Sequence, residues 1–362
     1  MKRLERGYTT GACAAAAARG AAVMLKKSRP IEEVSILLPG QRKTTPFRID
    51  NPRILRGRAS CSVRKNAGDD PDVTDGLDIF SEVRVNGTGD ITVLGGRGVG
   101  RVTKPGLQVE VGRPAINPVP LRMIREAVKD LFPDGVTVTI SVPGGEEIAK
   151  KTFNPKLGIV GGISIIGTTG IVRPFSVSAL KTSILLEIGV LHASGAGEVF
   201  LVPGNIGRRA VAKNYGGCPS ERIVMISNFL GDALGEAAPL FRRVFLVGHP
   251  GKLLKVLNGD YDTHSRRSPP ALPLVVGRMK ERGIGLSGGD LKNIPTVEGV
   301  MKRLDGGTRL RLFGEFARDV EERVASDLGV EGRVAVALVD MEGNVVGRGD
   351  LMRSWEHAPC PR

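Results

Sequence analysis

Four aspartates fall within seven residues of the stretch N-A-G-D-D-P-D-V-T-D-G, Asn66 to Gly76, in a chain with 52 Lys and Arg against 38 Asp and Glu. Carboxylates at that density bind a cation, face a cationic ligand, brace neighbouring bases such as Arg64 and Lys65, or cap a turn. Asp70, Asp72 and Thr74 alternate as calcium ligands do, but the frame fails. Its glycine position falls on Asp75, its closing glutamate on Ser81, and Pro71 stiffens the turn. A type I turn around Asp70-Pro71 with self-capping aspartates stands beside a binding role for Asp70 and Asp72.

A second candidate is G-G-I-S-I-I-G-T-T-G, Gly161 to Gly170, in which Gly162 and Gly167 have P-loop spacing and Thr169 fills the hydroxyl slot. Thr168 stands where the lysine belongs, so a triphosphate cradle is not expected. Backbone N–H groups of such a turn can still hold a carboxylate or ribose, and a glycine hairpin between buried strands is the alternative. The run Gly95 to Gly100 leads into Val102-Thr103-Lys104-Pro105-Gly106, which cannot open a helix. It therefore reads as a turn and not as a dinucleotide fingerprint. Three further loops are P-G-N-I-G (Pro203 to Gly207), S-N-F-L-G (Ser227 to Gly231) and G-H-P-G-K (Gly248 to Lys252). His249 lies in the third, and His264 follows in Asp262-Thr263-His264-Ser265. No G-x-S-x-G elbow presents a nucleophile, which argues against a Ser/His/Asp hydrolase.

These loops need elements to hold them. Short strands are expected at Val34 to Leu38, Ile79 to Val85, Ile91 to Leu94 and Val136 to Val142, with a helix near Pro118 to Leu131 whose apolar residues share a face. The start, with Thr9-Thr10-Gly11 before an alanine run broken by Arg19, reads as a loop entering a buried helix and not as a signal peptide. A helix follows at Ser176 to His192, with Ser176 or Ser178 as N-cap and Gly195 past its end. Apolar runs at Val199 to Val202, Ile223 to Ile226 and Val244 to Val247 each lead through one of the three loops into a helical pattern. Repeated strand, loop and helix imply a parallel sheet, and ligands bind such sheets at the carboxyl ends of the strands, where strand order reverses. Helices near Leu274 to Arg282 and Phe313 to Leu328 flank the loop Ser287-Gly288-Gly289-Asp290, and a last strand is expected near Val334 to Val339. The expected organisation is an α+β domain at 1–192, an α/β Rossmann-like domain with a mostly parallel sheet at 193–350, and a mobile tail at 351–362.

Composition narrows the partners. At 362 residues and 41% hydrophobic content two globular domains are expected. A formal charge of +14 favours anionic partners, but one Trp and three Tyr offer little for stacking on nucleic acid bases. A non-enzymatic polyanion or nucleic-acid binder is the alternative from another class, supported only by charge. A phosphotransferase built on the glycine loops is a second, opposed by the missing lysine. The cysteines at 13, 61, 218 and 360 form no C-x-x-C and read as reduced thiols of a cytoplasmic protein. No histidine pair at metal-ligand spacing occurs, and no apolar run is long enough to span a membrane.

Several of these segments together resemble one family, the cobalt-precorrin-5B (C-1)-methyltransferases of the anaerobic pathway, known as CbiD. The matching stretches are G-Y-T-T-G-A-C-A-A-A-A-A from Gly7, K-N-A-G-D-D-P-D-V-T-D-G from Lys65, G-R-G-V-G-R-V-T-K-P-G-L from Gly96 and G-R-P-A-I-N-P-V-P from Gly112. They continue with V-T-I-S-V-P-G-G-E-E from Val138, K-T-F-N-P-K-L-G-I-V-G-G-I-S-I-I-G-T-T-G-I-V from Lys151, N-F-L-G from Asn228 and T-H-S from Thr263. The chain departs from the usual pattern at Pro250 and Asp262, and turns proline-rich after Ser265.

The resemblance implies methyl transfer from S-adenosylmethionine to C-1 of a cobalt-bearing tetrapyrrole, giving cobalt-precorrin-6A on the way to cobalamin. The cobalt then arrives inside the substrate, and no protein-built metal site is needed. A surplus of Lys and Arg suits a macrocycle ringed with carboxylates. Proximity and orientation can supply about 7 to 11 kcal/mol of such a barrier, so no catalytic triad is required. On this reading Gly167, Thr168, Thr169 and Gly170, together with Pro203, Gly204, Asn205, Gly207 and Asn228, contact the methyl donor. Lys104 and Arg173, with Lys65, Asp70 and Asp72, serve the substrate side, and the aspartates face the cationic donor, hold ribose hydroxyls or brace Lys65 and Arg64. His249 and His264 orient ligands or take up a proton. Neighbouring pathway enzymes are possible partners; nucleic acid and membrane are not.

Overall fold

The computed structural model describes residues 4–216, 218–285 and 294–355. Its secondary structure mixes helices with both parallel and antiparallel sheet, as an α/β protein does. Contacts divide the chain into two compact units, Met1–Ala179 and Leu180–Arg362. The division falls ahead of the expected position at 192 because the helix Val177–Ala193 buries Ile184 and Ile188 in the core of the second unit.

The first unit is built on the helix Thr10–Lys27, in which the alanines from Ala12 to Ala22 are all inaccessible to solvent. Thr9 caps it by accepting from the Ala12 N–H, and Ser28 ends it in the left-handed region. Small side chains let neighbours approach closely: a Cβ on Gly20 would lie 2.6 Å from Ile49 Cδ1 and 3.1 Å from Cys61 Sγ. Beside the helix lies a five-stranded sheet in the order Asp50–Leu55, Arg58–Arg64, Asp78–Val85, Val136–Ser141 and Ile91–Gly95. All neighbours are antiparallel except the last pair. The helix Pro118–Lys129 packs Met123, Ile124 and Val128 into the same core.

Short strand pairs carry the glycine motifs. Gly7–Tyr8 pairs antiparallel with Ile171–Val172, and Gly98–Val99 pairs parallel with Gly162–Ile163. Gly98, Gly145 and Gly162 cross so closely that a Cβ on either of the latter two would strike the Gly98 carbonyl. The glycines of the Gly95 to Gly100 run therefore serve backbone packing.

The second unit holds a five-stranded sheet in the order Ile223–Met225, Glu198–Val202, Arg243–Gly248, Val334–Val339 and Val345–Arg348. The first four strands are parallel and the last is antiparallel. Helices Leu230–Leu240 and Gly306–Leu328 contribute to the core against Val199, Leu201, Val224 and Leu246. Helix Asn205–Asn214 joins the opposite cluster, with Phe200, Val202, Phe245 and Val247. The chain moves from Glu198–Val202 outward to Ile223–Met225, then returns past its start to Arg243–Gly248. Strand order thus reverses between two neighbouring strands.

The expectation of a mobile tail from 351 is corrected in part. Asp350–Trp355 is helical, buries Met352, and sets Trp355 edge-on to Phe245 at 5.3 Å. Apolar Met352 and Trp355 complete a cluster that the strands alone leave open. Residues 356–362, Cys360 among them, and the Ser287 to Asp290 loop lie outside the described residues.

Candidate functional site

In the second unit the three loops meet at the carboxyl edge of the sheet, and Lys252 ties them together. Its ammonium donates to the Pro203 carbonyl at 3.4 Å, the Ser227 carbonyl at 3.4 Å and Asn228 Oδ1 at 3.0 Å. Those acceptors account for its three protons. All are neutral, so no carboxylate offsets its desolvation, and burial followed by the nearby charge of Lys255 holds Lys252 below the usual lysine range. Ser227 adopts a left-handed φ of 54°, which turns the loop back toward this lysine. Lys252 lay inside a loop singled out above, yet its role depends on the strand reversal and is invisible in spacing.

Of the residues expected at the donor, Pro203 and Gly207 are buried, Gly204 and Asn228 half-buried, and Asn205 exposed. A Cβ on Gly204 would meet nothing within 4 Å, so space is open above the Glu198–Val202 strand. A Cβ on Gly207 would lie 2.5 Å from the Val247 carbonyl, which explains how the first turn of Asn205–Asn214 sits tight on the sheet. No side chain caps that helix.

The two histidines occupy different situations. His249 Nδ1 accepts from the Gly251 N–H at 3.0 Å, so the proton belongs on Nε2, which lies 3.2 Å from Glu298 Oε2. Both ring nitrogens are engaged, and the imidazole caps Pro250–Leu253, the segment that carries Lys252. His264 is exposed; its Nδ1 accepts from the Arg266 N–H at 3.1 Å, and its Nε2 has no hydrogen-bond partner among the described residues. The segment bearing it is anchored by the Thr263 N–H on the Asn228 carbonyl at 3.1 Å. Buried Lys255 fixes it further, donating to the Thr263 carbonyl at 3.2 Å and to Ser268 Oγ at 2.8 Å. His264 is thus brought beside the Asn228 loop, while His249 supports the Lys252 loop.

The first unit uses its charged residues otherwise. Lys65 is 2% exposed, and its ammonium lies 2.8 Å from Asp72 Oδ2. Asp72 Oδ1 accepts from the N–H and hydroxyl of Thr74. Burial pushes the Asp72 carboxyl up, but the bonds from Lys65 and Thr74 and the Lys65 charge outweigh it and hold it below the usual carboxylate range. Asp75 accepts from the Ala67 N–H, Asp69 from the Glu5 N–H, and Asp70 from the Phe175 N–H at 2.8 Å. The dense negative charge is therefore a set of caps and one partly buried pair.

Gly167 and Gly170 have φ of 130° and 76°, and a Cβ on Gly167 would strike the Thr9 side chain. The Gly170 carbonyl accepts from the Thr9 N–H at 3.0 Å, and the Ile166 carbonyl from the Gly11 N–H at 2.9 Å. The turn packs on the start of the Thr10–Lys27 helix, leaving Thr168 and Thr169 exposed. Lys104 is half-buried with its stem over Gly158, and Arg173 is exposed. Cys13 and Cys61 are buried, and burial pushes each thiol up to about 12. No cluster of three or more His, Cys, Asp or Glu able to hold a metal, and no helix long and apolar enough to cross a membrane, occurs among the described residues.

Known proteins share much of this sequence. A family profile described as CbiD matches residues 1–174. The cobalt-precorrin-5B C(1)-methyltransferase of Thermoanaerobacter sp. (strain X514) is 40% identical over 366 residues, 98% of this chain and 98% of its own. The protein of the same name from Desulfitobacterium hafniense (strain Y51) is 41% identical over 96% of this chain and 90% of its own. That from Geobacter metallireducens is 47% identical over 78% and 82%. The 1.9 Å crystal structure of the cobalamin biosynthesis protein CbiD from Archaeoglobus fulgidus is 30% identical, covering 77% of this chain and 85% of that one, with a TM-score of 0.40.

Proposed function

The chain belongs to the CbiD family and is a methyltransferase of cobalamin biosynthesis, and we propose that it moves a methyl group from S-adenosylmethionine to C-1 of cobalt-precorrin-5B, giving cobalt-precorrin-6A. The observation that carries this reading is 40% identity to a cobalt-precorrin-5B C(1)-methyltransferase over 98% of both chains.

We read the second unit as a Rossmann-like module with the donor at its strand reversal, over Pro203 to Gly207 and Asn228. The residues there fit such a ligand: the open space above Gly204 admits an extended small molecule, and the carboxamides of Asn205 and Asn228 suit ribose and carboxylate groups. When bound, the sulfonium supplies an electrophilic methyl group. The chain's part is to align and enclose. Lys252 fixes the three loops in one geometry, and His249 with Glu298 fixes Lys252's own segment. Because its protons are taken up by loop acceptors, Lys252 serves as a positioning residue. His264, with Nε2 unpartnered among the described residues, is the group able to accept a proton. On the substrate side we retain Lys104 and Arg173, and on the donor side the exposed hydroxyls of Thr168 and Thr169 beside Gly167 and Gly170. For Lys65, Asp70 and Asp72 the hydrogen bonds they make support a role in shaping their loop. The enzyme would act in the cytoplasm, receiving its substrate from a neighbouring enzyme of the pathway.

The test is anaerobic incubation of the protein with cobalt-precorrin-5B and a donor carrying a ¹³C methyl group, followed by NMR of the macrocycle. Label on C-1 is expected. Label elsewhere, or none with intact substrate and folded protein, refutes the assignment.

A further inference from the structure

Asp70 holds an aromatic side chain in a conformation that the fold alone does not favour. Phe175 has φ of 54°, a left-handed backbone that costs a bulky side chain on the order of 1 kcal/mol, and the residue is 66% exposed. Its N–H donates to Asp70 Oδ1 at 2.8 Å. A strained backbone that presents a large apolar ring to water is unfavourable twice over, in conformation and in hydration. The molecule keeps it through one carboxylate of the aspartate-rich loop.

Two exposed guanidinium groups lie near this loop, while its carboxylates Asp69 and Asp70 are engaged by the Glu5 and Phe175 N–H groups. Gly7 pairs with Val172 in antiparallel register, which brings Arg6 and Arg173, each one step further along its strand, to the same end of the pair. Arg6 also bridges to Gly68, next to the aspartate loop. Both arginines are exposed, and neither is ion-paired among the described residues. An exposed aromatic residue two positions from Arg173, with Arg6 at the same end of the strand pair, complements a flat molecule with an apolar face and peripheral carboxylates.

We propose that Phe175 is a platform for the flat face of the cobalt tetrapyrrole, that Arg6 and Arg173 hold carboxylates at its rim, and that Asp70 is the positioning residue that sets the ring. This rests on the proposed function and adds to it the surface that receives the macrocycle.

The chain has one tryptophan, Trp355, so the double variant Trp355→Phe, Phe175→Trp places its only indole at the platform. Addition of cobalt-precorrin-5B under anaerobic conditions should quench that emission saturably, without S-adenosylmethionine. Phe175→Gly, which suits a left-handed backbone, should raise KM for the macrocycle about tenfold with kcat little changed. It should also leave Tm unchanged or higher, because the strain is released. Asp70→Ala, which removes the acceptor of the Phe175 N–H, should raise KM in the same direction. Emission blind to the tetrapyrrole, or answering only to S-adenosylmethionine, overturns the platform. So does a Phe175→Gly protein with lowered Tm and unaltered KM. If the wild-type protein still labels C-1 in those cases, the methyltransferase reading stands without the platform; if it neither labels nor binds the macrocycle, both fall.

Discussion

In the first unit, Asp69, Asp70, Asp72 and Asp75 all accept hydrogen bonds from their own unit, and buried Lys65 is matched by a carboxylate. In the second unit Lys252 and Lys255 sit among neutral carbonyl, amide and hydroxyl oxygens, with no carboxylate among their hydrogen-bond partners. A matched pair makes a loop rigid and leaves little for a ligand. A cation shared among neutral loop acceptors instead fixes the geometry of the three loops that meet on it.

The largest effect expected from breaking this contrast is on stability in the first unit. Asp72→Asn leaves the Lys65 charge buried without its counter-ion, and unfolding in denaturant should show a loss of about 3 kcal/mol. The pair also predicts acid sensitivity. Asp72's carboxyl lies below its ordinary value in the folded state, so its contribution is present above about pH 4 and is lost as pH falls through the lowered value. Asp72→Asn should flatten that part of the pH–stability curve; an unchanged curve would mean the pair contributes nothing.

Next comes Lys252→Met, which keeps the stem and removes the three bonds. Misplaced loops should lower kcat/KM on the order of 100-fold, with a much smaller change in Tm than Asp72→Asn produces. Glu298→Gln, one step further out, should cost less, about tenfold, because His249 keeps its bond to the Gly251 N–H. A loss as large as that of Lys252→Met would make His249 more than a support. The smallest effect is chemical: Cys13 and Cys61, with thiols near 12, should resist alkylation at pH 8 until the protein is unfolded.

Much of the architecture was legible in the sequence. The alanine run reads as a buried helix because Thr9 caps it and small side chains permit close packing on all sides. The apolar runs ahead of Pro203 and His249 are readable as parallel strands because each is buried on both faces, and the shorter edge strand ahead of Ser227 follows the same strand, loop and helix pattern. Strands Thr44–Arg48, Asp50–Leu55 and Arg58–Arg64 were missed. Asp50–Leu55 is an edge strand with mostly exposed residues and no alternation, and Arg58–Arg64 is rich in small and polar side chains. Trp355 was assigned to a tail because its partner Phe245 lies far away in sequence. The site was legible as loops but not as contacts. No spacing announces that Lys252 spans three of them, that His249 has both nitrogens occupied, or that Phe175 takes a left-handed backbone.

The most direct test of the central claim, that the donor site is the Lys252-tied edge of the second unit and the aspartate loop is scaffold, is calorimetric titration of S-adenosylmethionine into both variants at a temperature where each is folded. The account predicts that Lys252→Met weakens donor binding at least about tenfold, while Asp72→Asn binds it as the wild-type protein does. Unchanged affinity in Lys252→Met with lost affinity in Asp72→Asn would contradict it.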